Sequence, residues 1–258
     1  MKTSTLFYSL ERTIINNYVK KIKDYDKISK SVEKDIGSKL REYVLASWYN
    51  NWSSILIESM FNNHPDILPA IGKIKKIDFF WRGFPFDLKV TYFPDEFIQL
   101  KRKEKNLEKE ITELKKFAKT NNIYYNKKNK PKEIFSELLT KITEDPSKEY
   151  QEFIKNFHEV RKNIIEETIS NPKELIKWLY ENQGTRRFDA SNRLFLILID
   201  LNNLENSWKL KRNKKILENG INTFLDENSD LDFNKLKLSF NWENNEYNTY
   251  AISLFIFK

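Results

Sequence analysis

The chain contains no cysteine and only two histidines, His64 and His158. Thiol nucleophiles, disulfides and cysteine-ligated zinc are therefore excluded, and a mechanism built on histidine is disfavoured. Either imidazole reads more readily as a structural group than as a catalytic one. Also missing is any run approaching the roughly 20 apolar residues of a membrane span. No leader-type segment reads at the N-terminus. The expected setting is a reducing cytoplasm, with no membrane partner. No internal repeat punctuates the 258 residues, a length that suits one well-packed domain with room for an insertion.

Positive charge, by contrast, is in excess. The formal net charge is +8 and the isoelectric point about 9.2. That balance favours an anionic partner, although a composition rich in Lys and Asn also follows from genomic base composition. Residues Lys101 to Lys130 carry 11 Lys or Arg against 4 Glu, nearly the whole excess. Leu100, Leu107, Ile111, Leu114 and Ala118 recur there at helical spacing, which predicts one charged amphipathic helix from Pro94-Asp95 to Asn121-Asn122. Tyr124 and Tyr125 follow, interleaved with Lys127, Lys128 and Lys130. Three readings of this segment stand side by side: an arm that grips DNA phosphates, a solvated helix with its loop, or a stripe that seats a partner helix in a dimer.

Elsewhere the pattern predicts a helix from about Ser4 to Lys23. A longer one should run from Lys27 or Ser38 to Phe61, with Trp48, Trp52 and Ile55 on its buried side. Ile67 to Ile74 is expected to supply a first strand. Helices are expected over 131–143, 146–170, 172–182 and 207–225, the third capped by Asn171. The unbroken apolar run Arg193-Leu194-Phe195-Leu196-Ile197-Leu198-Ile199-Asp200 reads as a buried central strand. A terminal hairpin pairs Lys235–Trp242 with Tyr247–Phe257.

The most informative segment is Lys76-Ile77-Asp78-Phe79-Phe80-Trp81-Arg82-Gly83-Phe84-Pro85-Phe86-Asp87-Leu88-Lys89-Val90-Thr91. A two-residue turn at Arg82-Gly83 pairs Trp81 with Phe84, Phe79 with Phe86, and Asp78 with Asp87. Because side chains alternate along a strand, both aspartates then share a face with Lys89, while Phe79, Trp81, Phe84, Phe86, Leu88 and Val90 form an apolar back. Opposed like charges destabilise a strand pair. A cation between them is therefore expected, and magnesium, bound by few carboxylates plus water and phosphate, suits the donors. Arg-Gly is not a favoured hairpin turn and Pro85 lacks a ladder donor, so this end is expected to fray or to lie at an edge. The alternative is an ordinary solvated strand face.

Asp78 followed by Asp87-Leu88-Lys89 on adjoining strands resembles the PD-(D/E)XK nuclease motif, and the surrounding wording is similar to type II restriction endonucleases. Ile77 stands where that pattern has proline. The resemblance implies an α/β fold, a mixed central sheet flanked by helices. It implies a single nuclease domain over residues 1–258 with a basic helical insertion at about 95–170. Asp78, Asp87 and the Leu88 carbonyl would ligate Mg2+, and Lys89 would orient or help deprotonate the attacking water. Glu58, on the helix ahead of the hairpin, would add a carboxylate, with Glu42 a second choice. Double-stranded DNA, a homodimer and a cognate DNA methyltransferase are the implied partners. A repair, junction-resolving or RNA nuclease, or a non-enzymatic basic DNA-binding protein, remain the alternatives.

Base readout is expected from the polar loop Asn182-Gln183-Gly184-Thr185-Arg186-Arg187, since Gln and Arg make bidentate contacts with adenine and guanine edges. Its plainer reading is a helix-to-strand connection. Lys127 and Lys128, with Lys209, Lys211 and Arg212 more weakly, are the expected phosphate contacts.

Overall fold

In the computed structural model, residues 26–27, 30, 37–72 and 76–258 are described. The expected helix over Ser4–Lys23 lies outside them. The chain divides into two compact units, residues 1–59 and 60–258. Among the described residues, no helix is long and apolar enough to cross a membrane.

The first unit holds most of helix α1, Gly37–Asn62. Its buried positions include Ser53 and Ile57, whereas Trp52, Ile55 and Leu56 are about half exposed. The expected Trp52–Ile55 buried stripe is thus displaced. Apolar residues surround this helix, so spacing alone does not choose its inward face. The side chains of Glu42 and Trp48 are outside the described residues.

The second unit is a mixed sheet of six strands with helices on both faces. It comprises β1 Ile67–Pro69, β2 Phe79–Trp81, β3 Phe84–Tyr92, β4 Arg193–Ile199, β5 Lys237–Trp242 and β6 Asn245–Phe257, ordered β1-β2-β3-β4-β6-β5. The first three strands form an antiparallel meander, β3, β4 and β6 run parallel, and β5 returns antiparallel beside β6. β1 is shorter than the expected 67–74. β4 is buried along its whole length, as its apolar run requires of a strand covered on both faces.

Helices α2 Asp95–Glu104, α3 Glu110–Thr120, α4 Pro131–Glu144, α5 Lys148–Ser170 and α6 Lys173–Glu181 connect β3 to β4, and α7 Lys214–Glu227 precedes the terminal hairpin. Phe97 and Ile98 of α2, Ile164 and Ile165 of α5 and Leu175, Ile176 and Tyr180 of α6 pack with Phe195, Ile197 and Ile199 of β4. The opposite face receives α7, which comes so close to β6 that a Cβ on Gly220 would fall 2.2 Å from Ile256 Cδ1.

Two expected helices are broken. The charged helix after Pro94 stops at Glu104 and restarts at Glu110, with Asn106 at φ 57° between them. Its apolar stripe therefore serves two cores: Leu100 packs with the sheet layer, while Leu114 and Ala118 join Ile134, Leu138, Ile142, Ile154 and Phe157 in a separate bundle core. The stretch expected as one helix over 207–225 is a 3-10 turn, Leu204–Arg212, followed by α7. Nor does Asn171 cap α6, since no side chain caps that helix and Pro172 occupies the N-cap position.

Candidate active site

The hairpin has the register its sequence dictates. Phe79 pairs with Phe86, Phe80 with Pro85 and Trp81 with Phe84. Arg82 and Gly83 both take positive φ, 47° and 82°, the pattern of a primed two-residue turn whose twist matches its strands. The turn is closed rather than frayed, and β2 is interior, with β1 beside it. Arg82 Nη2 donates to Leu231 O at 2.9 Å, and its guanidinium lies 5.1 Å from the Phe233 ring centre, which explains why arginine serves at this position. Behind the hairpin, Phe79, Trp81 and Phe86 are fully buried with Phe61, Phe224 and Phe233 around them. Leu88, expected to be buried with them, is half-buried because β2 ends short of it.

Asp78 precedes β2 and bonds to β3 one residue out of the ladder's register. Its N–H donates to Phe86 O at 2.8 Å, and its carboxylate accepts from Leu88 N at 2.7 Å. Its side chain also meets that of Asp87. Asp87 is almost inaccessible, and Lys89 Nζ is paired with its Oδ1. Burial first, and then the adjoining Asp87, push the Asp78 carboxyl above its ordinary range, against the lowering effects of the Leu88 N–H and of Lys89. Asp78, Asp87 and Lys89 thus form one cluster, joined by side-chain contacts and the Leu88 N–H rather than by the expected strand pairing of Asp78 with Asp87.

Strand geometry adds a further oxygen. In an extended strand the N–H and C=O of one residue point to the same side. Asp87 N donates towards β4, to Asn192 O at 2.9 Å, whereas Leu88 N points the other way, to Asp78. The Leu88 carbonyl is therefore directed past the end of β2, on the side of the Asp78 carboxylate. Two carboxylates and a carbonyl are hard oxygen donors, and they fit a magnesium ion that keeps water or phosphate in its other positions. Among the described residues, no group of three or more His, Cys, Asp or Glu is placed to hold a metal. Glu58 is half-buried on α1, in the first unit, whereas the three clustered residues all belong to the second.

No protein-family model matches the chain, and no curated protein or solved structure is significantly similar to it.

The cluster includes residues that motif spacing does not reveal. Arg193, the first residue of β4, is 5% exposed and pairs in register with Asp87. Its Nε lies 3.5 Å from Asp87 Oδ2, its Nη1 donates to Gln183 Oε1 at 3.0 Å, and its guanidinium sits 4.8 Å from the Tyr180 ring centre. The available signal was an arginine opening an otherwise apolar strand, since a buried cation demands a partner. Gln183 also donates through Nε2 to Asp189 O at 3.1 Å, so this residue, expected to read bases, is turned inward.

The remaining expected binding residues are dispersed. Arg187 is exposed on a 3-10 turn, Thr185–Arg187. Arg186 shares that turn, and its side chain is outside the described residues. Lys127 and Lys128 are exposed on a turn of the helical bundle where Asn126 Oδ1 accepts from Lys128 N at 3.1 Å. Lys127 borders a groove lined also by Lys115, Lys116, Lys119, Tyr124 and Tyr125. Part of the basic run is internally neutralised, because Lys101, Arg102, Lys105 and Lys116 pair with Glu174, Glu113, Glu167 and Glu108. Among the described residues, Lys115, Lys119, Lys127 and Lys128 have no such pairing.

Proposed function

We propose that the chain is a magnesium-dependent DNA endonuclease of the restriction type, with a PD-(D/E)XK-like site on the β2–β3 hairpin. One observation carries the reading: two carboxylates are held against each other on one sheet face with a lysine beside them. The order helix, antiparallel meander, helices, parallel strand is compatible with the restriction-endonuclease-like fold.

In this reading Asp78, Asp87 and the Leu88 carbonyl would hold the ion. Bound magnesium supplies Lewis-acid stabilisation of the charge that builds on the phosphate. Lys89 orients the attacking water, and its ammonium lends a second positive charge near the phosphate that favours loss of that water's proton to solvent. The apolar wall of Phe79, Trp81 and Phe86 keeps the two strands in register behind the reacting groups. Arg187 and the unpaired lysines of the bundle groove offer cations to duplex DNA. A homodimer cutting both strands and a cognate methyltransferase complete the expected system.

The deciding experiment incubates the purified chain with a plasmid of known sequence in Mg2+, then with excess chelator. Discrete fragments that chelation abolishes, and that Asp87→Ala or Lys89→Ala eliminates, are the expected result. Structure-dependent nicking would move the substrate to the repair or junction class. DNA binding without cleavage would return the chain to a non-enzymatic role.

A further inference from the structure

The two oxygens of Asp87 face two cations that are held very differently. Lys89 contacts Oδ1 from a side chain 35% exposed. Arg193 approaches Oδ2 from a side chain 6% exposed, fixed above Tyr180 and by its hydrogen bond to Gln183. That platform is itself anchored in the core: Tyr180 is wholly buried and its hydroxyl donates to Ser191 O at 2.8 Å. At 3.5 Å the Arg193 Nε makes no hydrogen bond to the carboxylate and has no other partner. Arg193 thus holds a fixed positive charge beside Asp87 without occupying its lone pairs, whereas Lys89 occupies Oδ1.

Resting on the divalent-ion reading above, we infer that Arg193 is the positioning residue of Asp87 and that Lys89 is a displaceable counter-ion, released when a divalent ion takes Oδ1. Gln183 and Tyr180 act through Arg193. The release has a consequence for Lys89, whose ammonium is neutralised by Asp87 until an ion arrives and is then free for water and phosphate. The two basic residues should therefore affect ion binding with opposite signs. Lys89 competes with the ion, while Arg193 prepares its ligand.

The test is calorimetric titration of the full chain with MnCl2, without DNA, on variants checked by thermal melting. Arg193→Lys keeps the charge but loses the planar group that stacks on Tyr180 and bonds Gln183. It should weaken Mn2+ binding about tenfold, the usual scale for losing a residue that orients a ligand. Gln183→Leu should weaken binding in the same direction to a lesser degree, and it stands in if Arg193→Lys does not fold. Lys89→Met should bind Mn2+ several-fold more tightly. A merely structural arginine would lower the melting temperature without this opposition of signs. If the native chain binds Mn2+ but Arg193→Lys, or Gln183→Leu in its place, binds equally well, the inference falls alone. Weaker binding by Lys89→Met would overturn it too. If the native chain binds no Mn2+, the divalent-ion reading falls and takes the inference with it.

Discussion

Asp87 and Glu110 are both nearly inaccessible, at 5% and 2% exposure, yet their surroundings are built on opposite terms. Glu110 lies where the helical bundle joins the sheet layer. Arg161 Nε and Nη2 donate to its two oxygens at 2.5 and 2.8 Å, and Gln99 Nε2 adds a third bond at 2.9 Å. Arg161 is covered in turn by the Phe135 and Phe157 rings. Asp87 has a second carboxylate against it, an arginine that stops short of hydrogen bonding, and a partly exposed lysine. A buried charge that is fully compensated has no chemistry left to offer. One placed beside a like charge invites a ligand, and this contrast, rather than burial itself, separates the two clusters.

The largest effect should come at the hairpin. Asp87→Asn is expected to lower plasmid cleavage by at least about a thousandfold, the loss of several kcal/mol of charge stabilisation. The thermal midpoint should change little, because the substitution also relieves the repulsion with Asp78. A collapse in stability with cleavage retained per folded molecule would reverse the roles of the two clusters.

Next in size is the bundle junction. Arg161→Met strands a buried carboxylate and should cost about 3–5 kcal/mol in denaturant unfolding, whereas adding Glu110→Leu to it should restore most of the loss. Cleavage per folded molecule should not move. If the single variant were as stable as the native chain, Glu110 would have another counter-charge and the comparison would lose its structural arm.

Ion addition should distinguish the clusters a third way. Magnesium at a hundredfold over its dissociation constant should stabilise the native chain by about 2.7 kcal/mol, and chelator should reverse it. Asp78→Asn should abolish this gain, and Arg161→Met should keep it. Equal stabilisation of both variants would place the ion elsewhere.

The hairpin was legible because its information is local. Alternation set Asp87 and Lys89 on one side of β3, and the flanking aromatics marked Phe79, Trp81 and Phe86 for the core. Arg193 was not legible in the same way: its contact with Asp87 joins β3 to a strand reached only after five helices. The broken helix after Pro94 escaped because apolar spacing continues from Leu100 through Leu107 to Ala118, while the break turns on a left-handed residue, Asn106. The inward face of α1 escaped for the opposite reason, too many apolar positions and no dominant stripe. Local registers were readable; choices made by distant partners were not.

The smallest effect tests whether the compensated junction is compensated throughout. Asp95, in the first turn of α2, is held above its ordinary range by burial, with Arg161 pulling it down and Glu110 and Glu96 pushing it up. A carboxyl raised in the folded state favours folding when protonated. Its contribution therefore grows as pH falls through the raised pKa, and it is unfavourable at neutral pH. Asp95→Asn should then melt higher than the native chain near neutrality, by roughly half a kcal/mol or less because the group is partly exposed. The difference should vanish in acid below the unfolded-state pKa, where Asp95 is protonated in both states. Helix-end electrostatics oppose this by about 0.3 kcal/mol at an exposed first-turn position, which trims the gain without reversing it. A lower neutral-pH melting temperature for Asp95→Asn would show that the helix end outweighs burial, and that Asp95, unlike Asp78 at the hairpin, is stabilised where it stands.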